Sequence, residues 1–199
     1  MFEISINLMT EIRAINDNIS IGILDLKAFT LENGILTKRG SEKAGTQFLL
    51  GRLLGGPGPF ELGYTPQNKP FLIDRAGHIS ISHSHDKLVI IHNKKENTGI
   101  DIELIRDKVN KIQHKFLSPA EMDFAGDDTH KLITLWAAKE AMYKVYGLKE
   151  VDFSKSLFVE PFNSGTITGH IRMEDLNKSY RLMSETIDDY KMVYVLNEF

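Results

Sequence analysis

The period of apolar and polar positions changes several times along this chain, and the changes divide it into elements. Phe2 to Leu8 predicts a strand. Ser41 to Leu54 predicts a helix, with Ala44, Phe48 and Leu49 on one stripe and Gly55-Gly56 as its stop. Gly55-Gly56-Pro57-Gly58-Pro59 is the clearest loop, and Tyr64 to Phe71 reads as a second one around Asn68-Lys69-Pro70. Ile79-Ser80-Ile81-Ser82 alternates as a strand, Leu88 to His92 reads as a more buried one, and Lys94 to Thr98 is a polar turn into the strand Gly99 to Glu103.

Helix signals follow. Ser118-Pro119-Ala120-Glu121 is a capping box with proline at the first helical position. Asp127 to Thr129 can cap a longer helix that stops at Gly147. Ser156–Glu160, Thr166–Met173, Ser179–Met183 and Lys191–Leu196 then read as strands. The order predicts an α+β chain of two comparable halves that meet near Glu96 to Ile105. No fixed-period repeat or low-complexity tract interrupts it.

Composition narrows the chemistry. Apolar content of 42% and charged content of 26% over 199 residues are those of an ordinary globular chain. A net charge of −3 lends no support to nucleic-acid binding. Cysteine is absent, which excludes disulfides, thiolate metal sites and cysteine nucleophiles. Met1 to Arg13 lacks the basic-then-apolar run of a signal peptide, and no apolar stretch approaches the roughly 18 residues of a membrane helix. The cytoplasm is the expected compartment, with no membrane and no nucleic acid as partner.

Gly99-Ile100-Asp101-Ile102-Glu103 carries the strongest chemical signal. Alternation on a strand puts Asp101 and Glu103 on one face and Ile100 and Ile102 on the other. Two adjacent carboxylates repel and invite a cation, and a small set of hard oxygens suits Mg²⁺ together with substrate phosphates. Taken alone, the pair reads first as the polar face of an edge strand. Glu140 and Lys144, four apart on a helix, likewise read alone as a surface ion pair. Trp136 shares their face, however, and a lone tryptophan on a merely solvated face would be odd. Ser82-His83-Ser84-His85 is a weak zinc signal, and His83 at a strand end could instead donate to a phosphate. Glu121 is better explained as a helix cap than as a ligand.

Taken in order, Asn68-Lys69-Pro70, Ile79 to Ser84, Gly99 to Glu103, Phe116 to Glu121 and Trp136 to Lys144 resemble the 4′-phosphopantetheinyl transferases, specifically the long, pseudo-dimeric, surfactin-synthetase-activating type. The resemblance covers Asn68 to Lys144, and its G-I-D-I-E and W-x-x-K-E-A-x-x-K pair is the specific part. Asn68 stands where the family normally has glycine, a mild departure because asparagine tolerates the left-handed conformation. Ile79-Ser80 stands where the family often has Phe-Asn.

The resemblance implies two similar α/β subdomains, residues 1–99 and 100–199, related by a pseudo-twofold with coenzyme A in the cleft between them. It implies Mg²⁺ held by Asp101, Glu103 and Glu140 with the coenzyme's pyrophosphate, and Glu140 as base, either directly or through a metal-bound water, with Lys144 and His83 also in catalysis. Coenzyme contacts would come from Arg52, Lys69, Ser82, His83, Lys139 and Lys144, Arg52 meeting the 3′-phosphate. The implied partner is an apo acyl or peptidyl carrier protein, and a monomer is expected. Two rivals are a non-catalytic descendant that binds coenzyme A or a carrier, and another Mg²⁺-dependent phosphotransfer enzyme. Retention of the carboxylates and lysines counts against the first, and the absence of a G-x-x-x-x-G-K loop against the second. Lys108, Lys111 and Lys115, interleaved with Val109, Ile112 and Phe116, are the candidate patch for an acidic carrier.

Overall fold

A computed structural model describes residues 9–56, 58–73, 75–147 and 151–199. The expected strand Phe2 to Leu8 lies outside them. The chain divides into two compact units, Met1–Asn97 and Thr98–Phe199. Strands are antiparallel throughout the described residues. Together with the helices they give a mixed α and β chain. None of the described helices is long and apolar enough to cross a membrane.

The first unit opens with β1 (Thr10–Ala14) and β2 (Ile19–Asp25), followed by helices α1 (Leu26–Glu32) and α2 (Lys38–Leu54). Helix α2 starts three residues before the expected Ser41, because the Thr37 hydroxyl accepts from the Gly40 N–H and caps it there. A short ribbon, β3 (Leu62–Tyr64) with β4 (Pro70–Leu72), occupies the segment read as loop. Thr65 closes its tip, and Asn68 takes a φ of 64°, the left-handed geometry that asparagine accepts. Strands β5 (His78–Ser84) and β6 (Lys87–Asn93) complete a sheet of order β1-β2-β6-β5. Leu24, Leu49, Leu50, Phe60, Leu88 and Ile90 form the core between this sheet and the helices. Gly45 lets α2 lie close, since a Cβ there would sit 2.8 Å from the Leu26 side chain.

The second unit begins with β7 (Ile100–Leu104) and two 3₁₀ turns at Asp107–Lys111 and Gln113–Lys115. Helix α3 (Pro119–Ala125) carries the expected capping box: Ser118 and Glu121 exchange side-chain to backbone bonds. Helix α4 (Thr129–Tyr146) is capped by Asp128 and stopped by left-handed Gly147. After α5 (Phe153–Ser156) come β8 (Leu157–Val159), β9 (Thr166–Met173), β10 (Leu176–Ile187) and β11 (Tyr190–Glu198). The sheet order is β7-β11-β10-β9-β8. Helix α4 lies on it and buries Leu132, Leu135, Ala138, Ala141 and Met142 against Ile167, Ile171, Leu182, Val193 and Val195. Contact with β7 is so close that a Cβ on Gly99 would fall 2.0 Å from the Ala141 carbonyl oxygen. Among the described residues each unit thus sets one long helix on an antiparallel sheet, of four strands in the first and five in the second.

Candidate functional site

The site follows from two periodicities meeting. Residues four apart on a helix share one face, as do residues two apart on a strand, so one stripe of α4 can meet one face of β7. Lys144 Nζ on α4 lies 2.8 Å from Asp101 Oδ1 and donates to the Ile100 carbonyl at 3.0 Å. Two helical turns earlier, Trp136 Nε1 donates to Glu103 Oε1 at 3.0 Å. Glu140 occupies the turn between them. Ile100 and Ile102 are fully buried, as alternation requires.

Glu140 is therefore placed among like charges. Burial pushes its carboxyl up to about 7; Asp101 and Glu103 push the same way and Lys144 opposes them. That is an incentive for a further cation. Among the described residues no three histidine, aspartate or glutamate side chains converge as a finished metal cage. The donor set still fits Mg²⁺, which takes one or two carboxylates and completes its octahedron with water and substrate phosphate. Asp101, Glu103 and Glu140 are the carboxylates from which such donors could come.

Beside Glu140 lies a cavity of about 710 Å³ lined by Lys115, Phe116, Trp136, Tyr143 and Phe153 among others. The Trp136 ring centroid is 5.0 Å from Phe116 and 5.7 Å from Phe153, and Tyr143 is 5.4 Å from Phe153. Sequence periodicity gave no sign of this wall, because Phe153 comes from a different element than the helical stripe.

Lys139 corrects an expectation. It is fully buried and cannot reach a coenzyme phosphate. Its three N–H bonds go to the Phe116 carbonyl at 2.7 Å, Glu121 Oε2 at 2.7 Å and the Phe153 carbonyl at 2.9 Å. Burial pulls this ammonium below the ordinary lysine value, and Glu121 opposes the pull. Glu121, read as a cap only, also accepts from the Val159 N–H at 2.9 Å. Adjacent helical positions differ by about 100°, so Lys139 points into the core while Glu140 faces the site.

The remaining expected contacts lie on the first unit. His83, on the exposed face of β5, has Nε2 2.9 Å from Glu42 Oε1. His83 and Ser82 line a cavity of about 950 Å³ with Arg39, Glu42, Lys43, Glu61 and Asn68. Burial lowers the Lys69 pKa from its ordinary value. Arg52 is exposed near the end of α2, away from the residues that line this cavity. Glu42 was missed, since a glutamate four residues after Lys38 on a helix looks like half of a surface pair. The Ser82-His83-Ser84-His85 zinc reading finds no support among the described residues: His83 is paired with Glu42, and His85 sits in the turn at a φ of 49°.

No curated protein matches the chain significantly. The model of the 4′-phosphopantetheinyl transferase superfamily matches residues 97–195, a span that holds Asp101, Glu103, Glu140 and Lys144 and excludes Asn68 to Ser84. Residues 97–195 are a domain of the 4′-phosphopantetheinyl transferase superfamily, a superfamily of transferases that move phosphopantetheine.

Proposed function

We propose that the protein transfers 4′-phosphopantetheine from coenzyme A to a serine hydroxyl of an apo acyl or peptidyl carrier protein, in the manner of the long surfactin-synthetase-activating type. The observation that carries this is the contact of one stripe of α4 with one face of β7, which gathers Glu140 and Lys144 with Asp101 and Glu103. The serine oxygen forms a bond to the phosphorus that bears pantetheine, and the bond to the bridging pyrophosphate oxygen breaks. Adenosine 3′,5′-bisphosphate leaves with that electron pair. Glu140 takes the serine proton; a value of about 7 leaves a large fraction of it ionised near neutrality. Mg²⁺, when bound, supplies positive charge against the leaving phosphate. Lys144 adds a fixed cation at the same place, while Lys69 and His83 of the first unit hold coenzyme phosphates.

Incubation with coenzyme A, Mg²⁺ and an apo carrier is expected to add one phosphopantetheine to the carrier, read by intact mass. Asp101→Ala is expected to abolish the addition and to weaken metal binding in a titration. Full turnover by the parent without divalent metal would sink the metal assignment, and no mass gain on any carrier would sink the transfer reading.

The carrier partner rests on charge. Lys108, Lys111 and Lys115 are exposed, whereas their sequence neighbours Val109 and Phe116 are buried. This is a basic rim on a chain whose net charge is −3. Lys115 also lines the Glu140 cavity, so Lys108 and Lys111 make the cleaner test. Reversing both charges is expected to lower the association rate with an acidic carrier about tenfold at low salt and to flatten its salt dependence. Unaltered carrier kinetics at low ionic strength would remove this rim from the interface.

A further inference from the structure

We infer that Ser179 is a second reactive centre, a hydroxyl that His170 and Glu160 activate for attack on activated carboxylic esters and thioesters. It lies wholly within the second unit and is independent of the transfer reading above. Strand β9 buries Ile167 and Ile171 in the core under α4, so alternation turns His170 and Arg172 to the opposite face of the sheet. Strand β10 buries Tyr180 and Leu182 and turns Ser179 and Arg181 the same way. Ser179 is the direct cross-strand partner of His170, and Phe158 on β8 is the partner on its other side. The register thus sets a phenylalanine, a histidine and a serine in one row across three strands.

Two hydrogen bonds fix where the proton sits. His170 Nε2 lies 3.0 Å from Glu160 Oε1, and Nδ1 lies 2.9 Å from Ser179 Oγ. An ionised carboxylate only accepts, so Nε2 carries the hydrogen and the neutral ring presents the lone pair of Nδ1. The Ser179 hydroxyl therefore donates to Nδ1. Nucleophile, base and orienting carboxylate stand in the order that activates a serine. The surroundings suit an acyl group. The Arg172 guanidinium lies 5.4 Å from the Phe158 ring and that of Arg181 5.6 Å from the Phe199 ring, while the Phe199 N–H donates to the Ser179 carbonyl at 3.0 Å. The rings offer apolar contact, and the guanidinium groups supply positive charge against a tetrahedral intermediate. In the reaction Ser179 Oγ bonds to the carbonyl carbon as its proton passes to Nδ1. The bond to the leaving oxygen or sulfur then breaks, and that atom takes the proton. Water, deprotonated through the same nitrogen, cleaves the Ser179 ester and frees the carboxylic acid.

The test treats the full chain with an alkyl fluorophosphonate and, separately, with p-nitrophenyl acetate, without coenzyme A, carrier or metal. The fluorophosphonate is expected to add one phosphonyl group, located on Ser179 by peptide mapping. Hydrolysis of the acetate ester is expected to run at least about tenfold faster in the parent than in Ser179→Ala. His170→Ala is expected to slow labelling about 10²–10⁴-fold, the contribution of a positioned base. Glu160→Ala is expected to slow it at least about tenfold by releasing the ring tautomer. Glu160→Gln, whose amide oxygen still accepts from Nε2–H, should recover most of that rate, a rescue that separates orientation from packing. Mapping on the parent alone decides the matter even where a variant fails to fold. Absence of label from Ser179, or labelling of His170→Ala as fast as the parent, overturns the inference. Carrier modification is measured apart from all of this, so either reading can fail while the other stands.

Discussion

Glu140→Gln is expected to lower phosphopantetheine transfer about 10²–10⁴-fold while fold and coenzyme binding persist, the loss typical of removing a positioned base. Glutamine is nearly isosteric, so the contact of α4 with the sheet has no reason to fail. A pH signature accompanies the loss. In the metal-free protein the Glu140 carboxyl titrates at about 7, against 4.5 for an unperturbed glutamate, because burial and two neighbouring carboxylates disfavour its charge. The folded chain therefore holds a proton that the unfolded chain releases. Stability linked to this group is fully present below about 4.5 and is lost as the pH rises through about 7. Thermal melts in chelator should fall over that window in the parent and stay flatter in Glu140→Gln. Added Mg²⁺ should raise the melting temperature more at about pH 8 than at about pH 6, because protons compete with it for the carboxylates. A variant with near-parental kcat assigns Glu140 to an ion pair with Lys144 instead.

Lys139→Met is expected to cost about 3–5 kcal/mol of folding stability, since it strips the cation from a buried ion pair and leaves Glu121 with an uncompensated charge. Against a total of about 5–15 kcal/mol this approaches unfolding. The damage has a chemical control: combining Lys139→Met with Glu121→Gln removes the orphan charge and should recover part of the loss. The lone tryptophan reports the local consequence, because Lys139 binds the backbone of Phe116 and Phe153, the rings on either side of Trp136. Urea titration followed by tryptophan emission measures both quantities at once. A single variant as stable as the parent would show that the ion pair is dispensable.

These two neighbours on α4 also show how far sequence reading reaches. Glu140 was legible because helical and strand periods both end at the same contact, so alternation at Asp101 and Glu103 and four-residue spacing at Trp136, Glu140 and Lys144 carry spatial meaning. Lys139 was not legible in the same way. A lysine beside an acidic site looks like a phosphate ligand, and only the packing of Phe116, Glu121 and Phe153, distant in sequence, reveals that it is enclosed. Arg52 and Glu42 differ for a similar reason: both are charged residues on α2, and which of them meets the β5 edge depends on helix rotation against the sheet. The strands after Gly147 read well because their apolar alternation is long. The β3–β4 ribbon did not, since three-residue strands around a proline and an asparagine look like loop.

The absent side chain at Gly99 acts as a spacer of zero thickness. With 2.0 Å between a hypothetical Cβ and the Ala141 oxygen, β7 and α4 are fitted to one another at backbone level, one residue from Glu140 and two from Asp101. A displacement of about 1 Å at such a contact is the size that costs about a hundredfold in rate. For protein engineering by recombination, strand and helix therefore form one cassette. A crossover placed between Glu103 and Trp136 would join halves cut to different gauges, even where every charged residue of the site is supplied.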